Sequence, residues 1–495
     1  MDIKKTLLEI VNSETSIRYS YMGIEKLILT MLEDYTMKQG KQFLESPNID
    51  GALRYDALLP DGLDEIVGKV AIEIKMYRYN RMPLRLIYDT VGRISMKGGD
   101  IDTLLLIIVN EMPEVVRKKI DEEKKQLNFD LLIWDINNLV DIFTKNEELF
   151  VETYNNINTV LLQDTISRGI ARDRDTYREK RKKYIEQLHD EYENDNIVLY
   201  LGAGASKDAK IATWQNLISE LFVALIDKQL NANHIEMEKK DKKKIAKEVI
   251  KQNGNSPLLQ TRFLRSGFED DFEELVGEIL YRNAIETSDI LEELGQLCVP
   301  NRGKIGIQAI INYNFDDLIE KNLKRLRVKY HSIYGEGMIP DAGELGIYHV
   351  HGFLPQNKDG YENLTKSLLV FSEEGYHKLL LEPYNWANIS QLNFLINNTC
   401  IFIGLSMTDP NMRRLLEIAA QKSTEEDGVC KHYAIMPRFN IKESEGVEAI
   451  KSFEKVNESL QESFFRELGI NVIWIDEFSE IPILLKQIKG SYDQI

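Results

Sequence analysis

The sequence predicts an α/β protein: a smaller mixed α/β domain, followed by a larger domain built on a mainly parallel sheet with helices on its faces. Three observations carry this expectation. Apolar runs of strand length at 103–109, 197–201, 308–312 and 399–403 suit strands buried on both faces. Stretches with apolar residues at three and four spacing alternate with them. Each of the last three runs ends in a polar or glycine-containing tip, where an open parallel sheet presents its ligand.

A chain of 495 residues exceeds one ordinary core, so two or three domains are expected. The formal net charge of −18 argues against a global basic field for coating nucleic acid and leaves only local sites for that role. Cys298, Cys400 and Cys430 are far apart and form no CxxC pair, so neither a disulfide framework nor a four-thiolate zinc site can be built. That usage fits a reducing cytosol. The amino terminus is charged and polar, and no run approaches bilayer-spanning length. A cytoplasmic protein with no membrane contact is expected.

Residues 1–150 read as the first domain. A helix ending near Tyr35 carries Ile24, Leu27, Ile28, Met31 and Leu32 on one face. Runs at 52–59 and 69–76 flank Pro60-Asp61-Gly62, a turn signal, and predict a hairpin. A helix at 84–94 and strands at 103–109 and 131–135 follow. Glu73 and Lys75, two apart on one strand, point to the same face, and Asp56 on the partner strand can join them. Two carboxylates and an ammonium so gathered can hold a hard divalent cation and orient water against a phosphodiester. An exposed charged face would carry the same triplet.

An aspartate, a turn and then ExK on the next strand resembles the Mrr-like branch of the restriction-endonuclease, PD-(D/E)xK, fold. The segment IWDINNLVDIF is similar to that fold's closing strand and helix. The resemblance implies Asp56, Glu73 and Lys75 as catalytic residues, Asp56 and Glu73 as ligands of Mg2+, and DNA as substrate. Glu25 would be an additional carboxylate, although a helix-surface position explains it equally.

Residues 151–192 are rich in both charge signs at helical spacing and read as a solvated helical linker or lever. Basic clusters at 178–183 and 239–247 have acidic neighbours, so solvation rather than nucleic-acid contact is expected for them. The second domain spans 193–495, with a helical insert over about 215–300 that can cover the mouth of a site.

The second domain opens on IVLYLGAGAS at 197–206, an apolar strand running into two glycines and a serine, a turn that lets a phosphate approach the backbone. Four further stretches bear on it: QAIINYNFDDLIE, YHVHGFL, LLVFSEEGYHKLL and TCIFIGLSMTDPN. In order and spacing these resemble the sirtuin-like family across about residues 190–420, which implies a Rossmann-like domain that binds NAD. The resemblance assigns the pyrophosphate to Gly202, Ala203, Gly204 and Ser206, the nicotinamide ribose to Asn314, Asp316 and His351, and the adenosine side to Gly404, Ser406 and Asp409. His349 reads as a buried strand-end histidine.

The nicotinamide of NAD is already cationic and can leave without a general acid, so the site must orient the ribose, exclude bulk water and supply a base near the ribose hydroxyls or an attacking water. Asn314 can position the ribose or the attacking water, and His351 can take the proton. Zinc-ribbon cysteines of protein-deacylating sirtuins are absent, and Lys210, Ala212 and Gln215 stand where the family often has glycine, proline and arginine. These departures point to water rather than acetyl-lysine as acceptor.

The whole chain thus resembles antiphage defence proteins that hydrolyse NAD to nicotinamide and ADP-ribose, and in particular the sirtuin-like subunit that works with a HerA-like hexameric ATPase. Control by homo-oligomer assembly or by such a partner is the corresponding expectation. Two alternatives remain: a DNA nuclease whose sirtuin-like domain senses a nucleotide, and a non-catalytic module that binds NAD or ADP-ribose. Runs at 432–437 and 471–476, with a helical LQESFFRELG at 460–469 between them, are expected to complete the sheet edge.

Overall fold

The apolar run at 197–201 becomes the central strand of a seven-stranded sheet, and that at 70–75 the central strand of a five-stranded one. The computed structural model describes residues 2–12, 17–45, 48–49, 53–76, 87, 90–92, 94–95, 101–123, 127–171, 176–252, 257–300, 304–367, 369–371, 373–422, 430–439 and 448–490. The chain divides into two units. One holds residues 1–172, 420–429 and 446–469; the other holds 173–419, 430–445 and 470–495.

In the first unit, α1 (Ile3–Val11) and α2 (Ile17–Met37) precede the sheet β1 (Leu44–Glu45), β4 (Ala57–Leu59), β5 (Val70–Lys75), β6 (Thr103–Ile108) and β7 (Asp130–Trp134), with β2 (Asn48–Ile49) and β3 (Leu53–Arg54) as a separate ladder. β4 pairs antiparallel with β5, and β5, β6 and β7 run parallel. The strand expected at 52–59 is therefore shorter: the Asp56 carboxylate, in place of a backbone carbonyl, accepts from the Ile74 N–H at 2.7 Å, which interrupts the ladder. Ala52, and most of the helix expected at 84–94, lie outside the described residues. Ile24, Leu27 and Ile28 of α2 pack on Ile72 and Ile74, while Ala71, Leu104 and Leu106 form the core of the opposite face. After α3 (Glu114–Glu123) and β7, Asp135 caps α4 (Ile136–Phe143) in a reciprocal box with Asn138.

The helices α5 (Glu147–Asn155) and α6 (Ile157–Ala171) complete this unit together with α18 (Glu448–Glu467). The α6–α18 contact is close: a Cβ on Gly169 would stand 3.2 Å from the Val456 Cα. The charged stretch expected as a solvated linker is thus divided. Its second half, α7 (Thr176–Glu193), buries Ile185, Leu188 and Tyr192 in the core of the second unit. A few apolar residues at three and four spacing suffice to dock a helix that its charge disguises. Within the basic cluster there, Arg181 pairs with Glu480 at 2.6 Å, and the neighbouring Tyr177 donates to Asp476 at 2.8 Å.

The second unit's sheet has the order β10-β11-β9-β8-β12-β13-β14, every pairing parallel. Its strands are β8 (Ile197–Leu201), β9 (Ile307–Asn312), β10 (Tyr330–Ile333), β11 (Leu345–His349), β12 (Thr399–Ile403), β13 (His432–Pro437) and β14 (Ile470–Ile475). The last two form the expected edge. Short α8 (Ala203–Ser206) follows β8, then α9 (Trp214–Ala232), α10 (Lys239–Gln252), α11 (Pro257–Phe268) and α12 (Phe272–Tyr281), which share an apolar core with Phe315, Leu369 and Phe371. In α10, Lys242 and Lys243 of the basic run pair with Asp227 and Glu220. The insert ends earlier than expected, because α13 (Asp289–Leu297) packs Ile290, Leu291 and Leu294 against the sheet itself. With α7 and α19 (Glu480–Lys489), α13 covers one face; Tyr200 and Phe402 meet α16 (Trp386–Asn397) on the other. The remaining helices are α14 (Leu318–Arg325), α15 (Glu373–Leu381) and α17 (Pro410–Lys422). No helix among the described residues is long and apolar enough to cross a membrane.

Candidate active site

The order in which strands are added reverses at β8: β9 lies on one side and β12 on the other, so the crevice above their carboxyl ends is a topological switch point. The tips there approach more closely than side chains allow. A Cβ on Gly202 would meet the Gly404 carbonyl oxygen at 2.7 Å, and one on Gly204 would meet the Gly404 Cα at 2.6 Å. Backbone bonds fix the contact, with the Gly202 N–H donating to Ile403 at 3.0 Å and the Gly204 N–H to Gly404 at 2.9 Å. Gly404 itself has φ +68°, and Met407, a bulky residue, has φ 59° three residues on. Strain of that kind persists where surrounding structure enforces it. Ala203 and Ser406 are exposed beside these tips, and Ser406 shares a 2.7 Å hydrogen bond with Thr408.

Asn314 and His351 each lie two residues beyond one register pair, Asn312 opposite His349, so parallel pairing of β9 with β11 carries both to the same rim. The Asn314 Nδ2 donates to the Gly202 carbonyl at 3.0 Å and to Ser206 Oγ at 3.2 Å. Its amide nitrogen is thereby committed to the glycine turn. Ser206 Oγ lies 3.4 Å from Asp316 Oδ1, which also accepts from the Leu318 N–H, whereas Asp316 Oδ2 is buried without a hydrogen-bond partner. Burial, reinforced by Glu320 and Asp317, pushes the Asp316 carboxyl up to about 6 against the pull of its hydrogen bonds.

His351 is enclosed by two tyrosines. The Tyr313 ring centroid lies 4.4 Å away, and Tyr376 meets the imidazole edge-on at 5.7 Å. Burial holds its pKa below the ordinary value, partly offset by Asp409, whose Oδ2 stands 3.5 Å from Nε2. Asp409, expected on the adenosine side, thus faces the histidine. His349 is buried as expected and has a further function in the packing: its Nδ1 lies 3.3 Å from the Asn314 carbonyl oxygen and its Nε2 2.6 Å from Glu320.

Tyr376, Tyr313 and Glu320 were not singled out from the sequence. Tyr376 closes the FSEEGY helix start, and Tyr313 and Glu320 lie within QAIINYNFDDLIE, so the motifs held all three without a role for any; Ser372 of FSEEGY lies outside the described residues. The departures after the glycine turn also have local reasons. Lys210 takes the left-handed conformation, φ 59°, that glycine adopts freely, and the Ala212 N–H donates to Leu280, which a proline could not do. Gln215 is exposed on α9, and Trp214 packs on Phe371.

In the first unit, Glu73 and Lys75 lie on β5 as an ion pair of 3.3 Å, each side chain less than a tenth exposed. Asp56 adjoins them through Ile74. Glu25 is half-buried on α2. Among the described residues no group of three or more His, Cys, Asp or Glu is gathered that could hold a metal.

A SIR2-like domain model matches residues 308–472, which include Asn314, His351, Gly404, Ser406 and Asp409. The parallel sheet and this match agree on a SIR2-like α/β fold. A protein of Enterococcus faecium named NAD(+) hydrolase ThsA is 24% identical over 324 residues, 63% of this chain and 59% of the relative. The proteins of that name from Bacillus cereus (strain MSX-D12) and Acinetobacter baumannii (strain 532279) are each 22% identical, covering 57% of their own lengths. The chain therefore spans less than two thirds of the relatives it matches.

Proposed function

We propose that this chain is an antiphage defence effector that hydrolyses NAD to nicotinamide and ADP-ribose at the switch point of its seven-stranded sheet. The observation that carries the reading is the buried Asp316 Oδ2 without a partner, beside an asparagine and serine that brace the glycine turn. A buried acceptor of this kind costs free energy until a donor reaches it, and an amide or hydroxyl of NAD is such a donor. The similarity to proteins named NAD(+) hydrolase supports the choice of ligand.

In this mechanism Gly202, Ala203 and Gly204 receive the pyrophosphate, the contact their lack of bulk allows. Gly404 and Ser406 border the same crevice on the β12 side. Asn314 orients the ribose and the attacking water. The C1′–N bond breaks, its electron pair leaving with neutral nicotinamide. Water adds to C1′ and yields its proton to His351, which burial keeps neutral near pH 7 and so able to accept it. Homo-oligomer assembly, or docking on a HerA-like ATPase, is the control we assign to such an activity; its support is the combination of two units in one chain. Nicotinamide release by wild type, Asn314→Ala and His351→Ala, alone and with that ATPase, tests the reading. Equal cleavage by all three overturns it.

For the first unit we propose a Mg2+-dependent DNA nuclease site. Its support is the buried Glu73–Lys75 pair on an otherwise apolar strand, with Asp56 one backbone bond away. Asp56 and Glu73 would hold the cation, whose chemistry is to activate water and neutralise phosphate charge. Cleavage of linear DNA with Mg2+ that is unchanged in Asp56→Ala would refute it.

A further inference from the structure

We propose that Asp409 and Tyr376 are positioning residues that fix the tautomer of His351, making Nδ1 its basic nitrogen; the catalytic meaning of this rests on the NAD-cleavage reading. Three segments distant in sequence build the arrangement: the tip of β11, the loop between β12 and α17, and α15. Asp409 is anchored first by its own helix, since Oδ1 accepts from the Met412 N–H at 2.7 Å. Its Oδ2 accepts from the Tyr376 hydroxyl and stands 3.5 Å from His351 Nε2.

A carboxylate has only acceptors to offer, so the ring nitrogen that faces it is favoured as N–H. Nδ1 then keeps the lone pair. At 3.5 Å the contact is electrostatic rather than a hydrogen bond, and the field of the carboxylate sets the preference. The Tyr376 hydroxyl holds the carboxylate and shares its charge, which moderates the pull on the histidine. Tyr376 is itself delivered by close packing. Gly375 brings α15 against the chain at Leu369 and Val370, where a Cβ would lie 3.0 Å from the Leu369 carbonyl oxygen, and the Val370 N–H donates to the His351 carbonyl at 2.7 Å. Tyr313 closes the other side of the ring, its hydroxyl held by Gln391. Among the described residues, Asp409, Tyr376 and Tyr313 are titratable groups that face His351.

During cleavage the water proton passes to Nδ1 while the Nε2–H keeps facing Asp409, and no further reactant is needed. Histidine-labelled protein read by long-range ¹⁵N–¹H NMR, with His351→Gln to assign the signal, tests the tautomer without any turnover. The expected result is the Nε2–H form in wild type and a mixed population in Asp409→Asn. An Nδ1–H form in wild type overturns the proposal.

Kinetics with NAD from pH 5.5 to 9 give the second arm, with Asn314→Ala as the control for the NAD reading itself. Asp409→Asn should lose about a hundredfold in kcat with KM nearly unchanged. Its acid limb should move to lower pH, because an anion that favoured the imidazolium is gone. Asp409→Glu should recover part of kcat, and Tyr376→Phe should move the acid limb to higher pH. A raised KM with wild-type kcat and pH profile in Asp409→Asn would make Asp409 a simple substrate contact and refute the positioning role. If wild type and Asn314→Ala do not differ, the NAD reading falls, and the NMR result still decides the tautomer.

Discussion

Replacing Gly204 with alanine tests whether the close approach of two strand tips builds the site. The added methyl would lie 2.6 Å from the Gly404 Cα, 3.1 Å from its carbonyl oxygen and 3.2 Å from its carbonyl carbon, all backbone atoms with no rotamer to yield. Opening the nearest contact to an ordinary 3.4 Å requires about 0.8 Å of movement between the ends of β8 and β12. Overpacking of this kind costs about 1–3 kcal/mol, and a shift approaching 1 Å at reacting groups can cost on the order of a hundredfold in rate. Gly204→Ala should therefore lower the melting transition by several degrees and kcat/KM for NAD by about a hundredfold. Gly277→Ala is the control: a Cβ there meets nothing within 4 Å, and alanine in a helix interior is worth roughly 0.5–1 kcal/mol over glycine. Thermal unfolding and nicotinamide release on both variants decide the matter. Wild-type stability and activity in Gly204→Ala would refute the claim that the two tips are held by backbone contact.

Asp316 predicts a pH dependence of stability. Its carboxyl is raised from 3.8 to about 6, so the folded chain holds a proton that the unfolded chain has released, and stability falls as pH rises between those values. The difference corresponds to roughly 3 kcal/mol at most, present as a penalty above pH 6. Asp316→Asn should remove that limb from urea unfolding curves and be more stable than wild type at pH 7, while binding NAD more weakly. In the first unit, Lys75→Ala leaves the Glu73 carboxylate buried without its lysine and should cost about 3 kcal/mol, whereas Glu73→Gln with Lys75→Met should be much nearer neutral. Denaturant unfolding measures both, and it must accompany any nuclease assay on Lys75. Thr261, fully buried, donates to the Phe371 carbonyl at 2.7 Å; Thr261→Val should destabilise the insert by about 1–2 kcal/mol, read by the same method.

Much of the architecture was legible because its signals are local. The strand–glycine turn at 197–206, the Asn314 and His351 segments and the GLSMTDPN tip each follow an apolar run, and parallel pairing brings all four to one crevice. Less legible was the charged stretch before residue 193, where Ile185, Leu188 and Tyr192 dock a helix although charge dominates its composition. Helix α18 was legible in part, since LQESFFRELG at 460–469 reads as helical between two strand runs, but its place in the fold was hidden. Its residues lie between two strands of the second sheet, yet its partner is α6, and nothing in the local pattern distinguishes one apolar face from another.

The sequence by itself determined the strand runs, their polar tips and the identity of the groups available there, since these depend on periodicity and residue chemistry alone. Only the tertiary structure decided which of those groups meet. Tyr376 reaches Asp409 across 33 positions, and Asp409 turns to His351 rather than away from it. Such meetings follow from helix packing and backbone approach between distant segments, for which no residue spacing carries a signature. That is why the same glycines could be read as a phosphate turn before it was clear that their missing side chains also make room for Gly404.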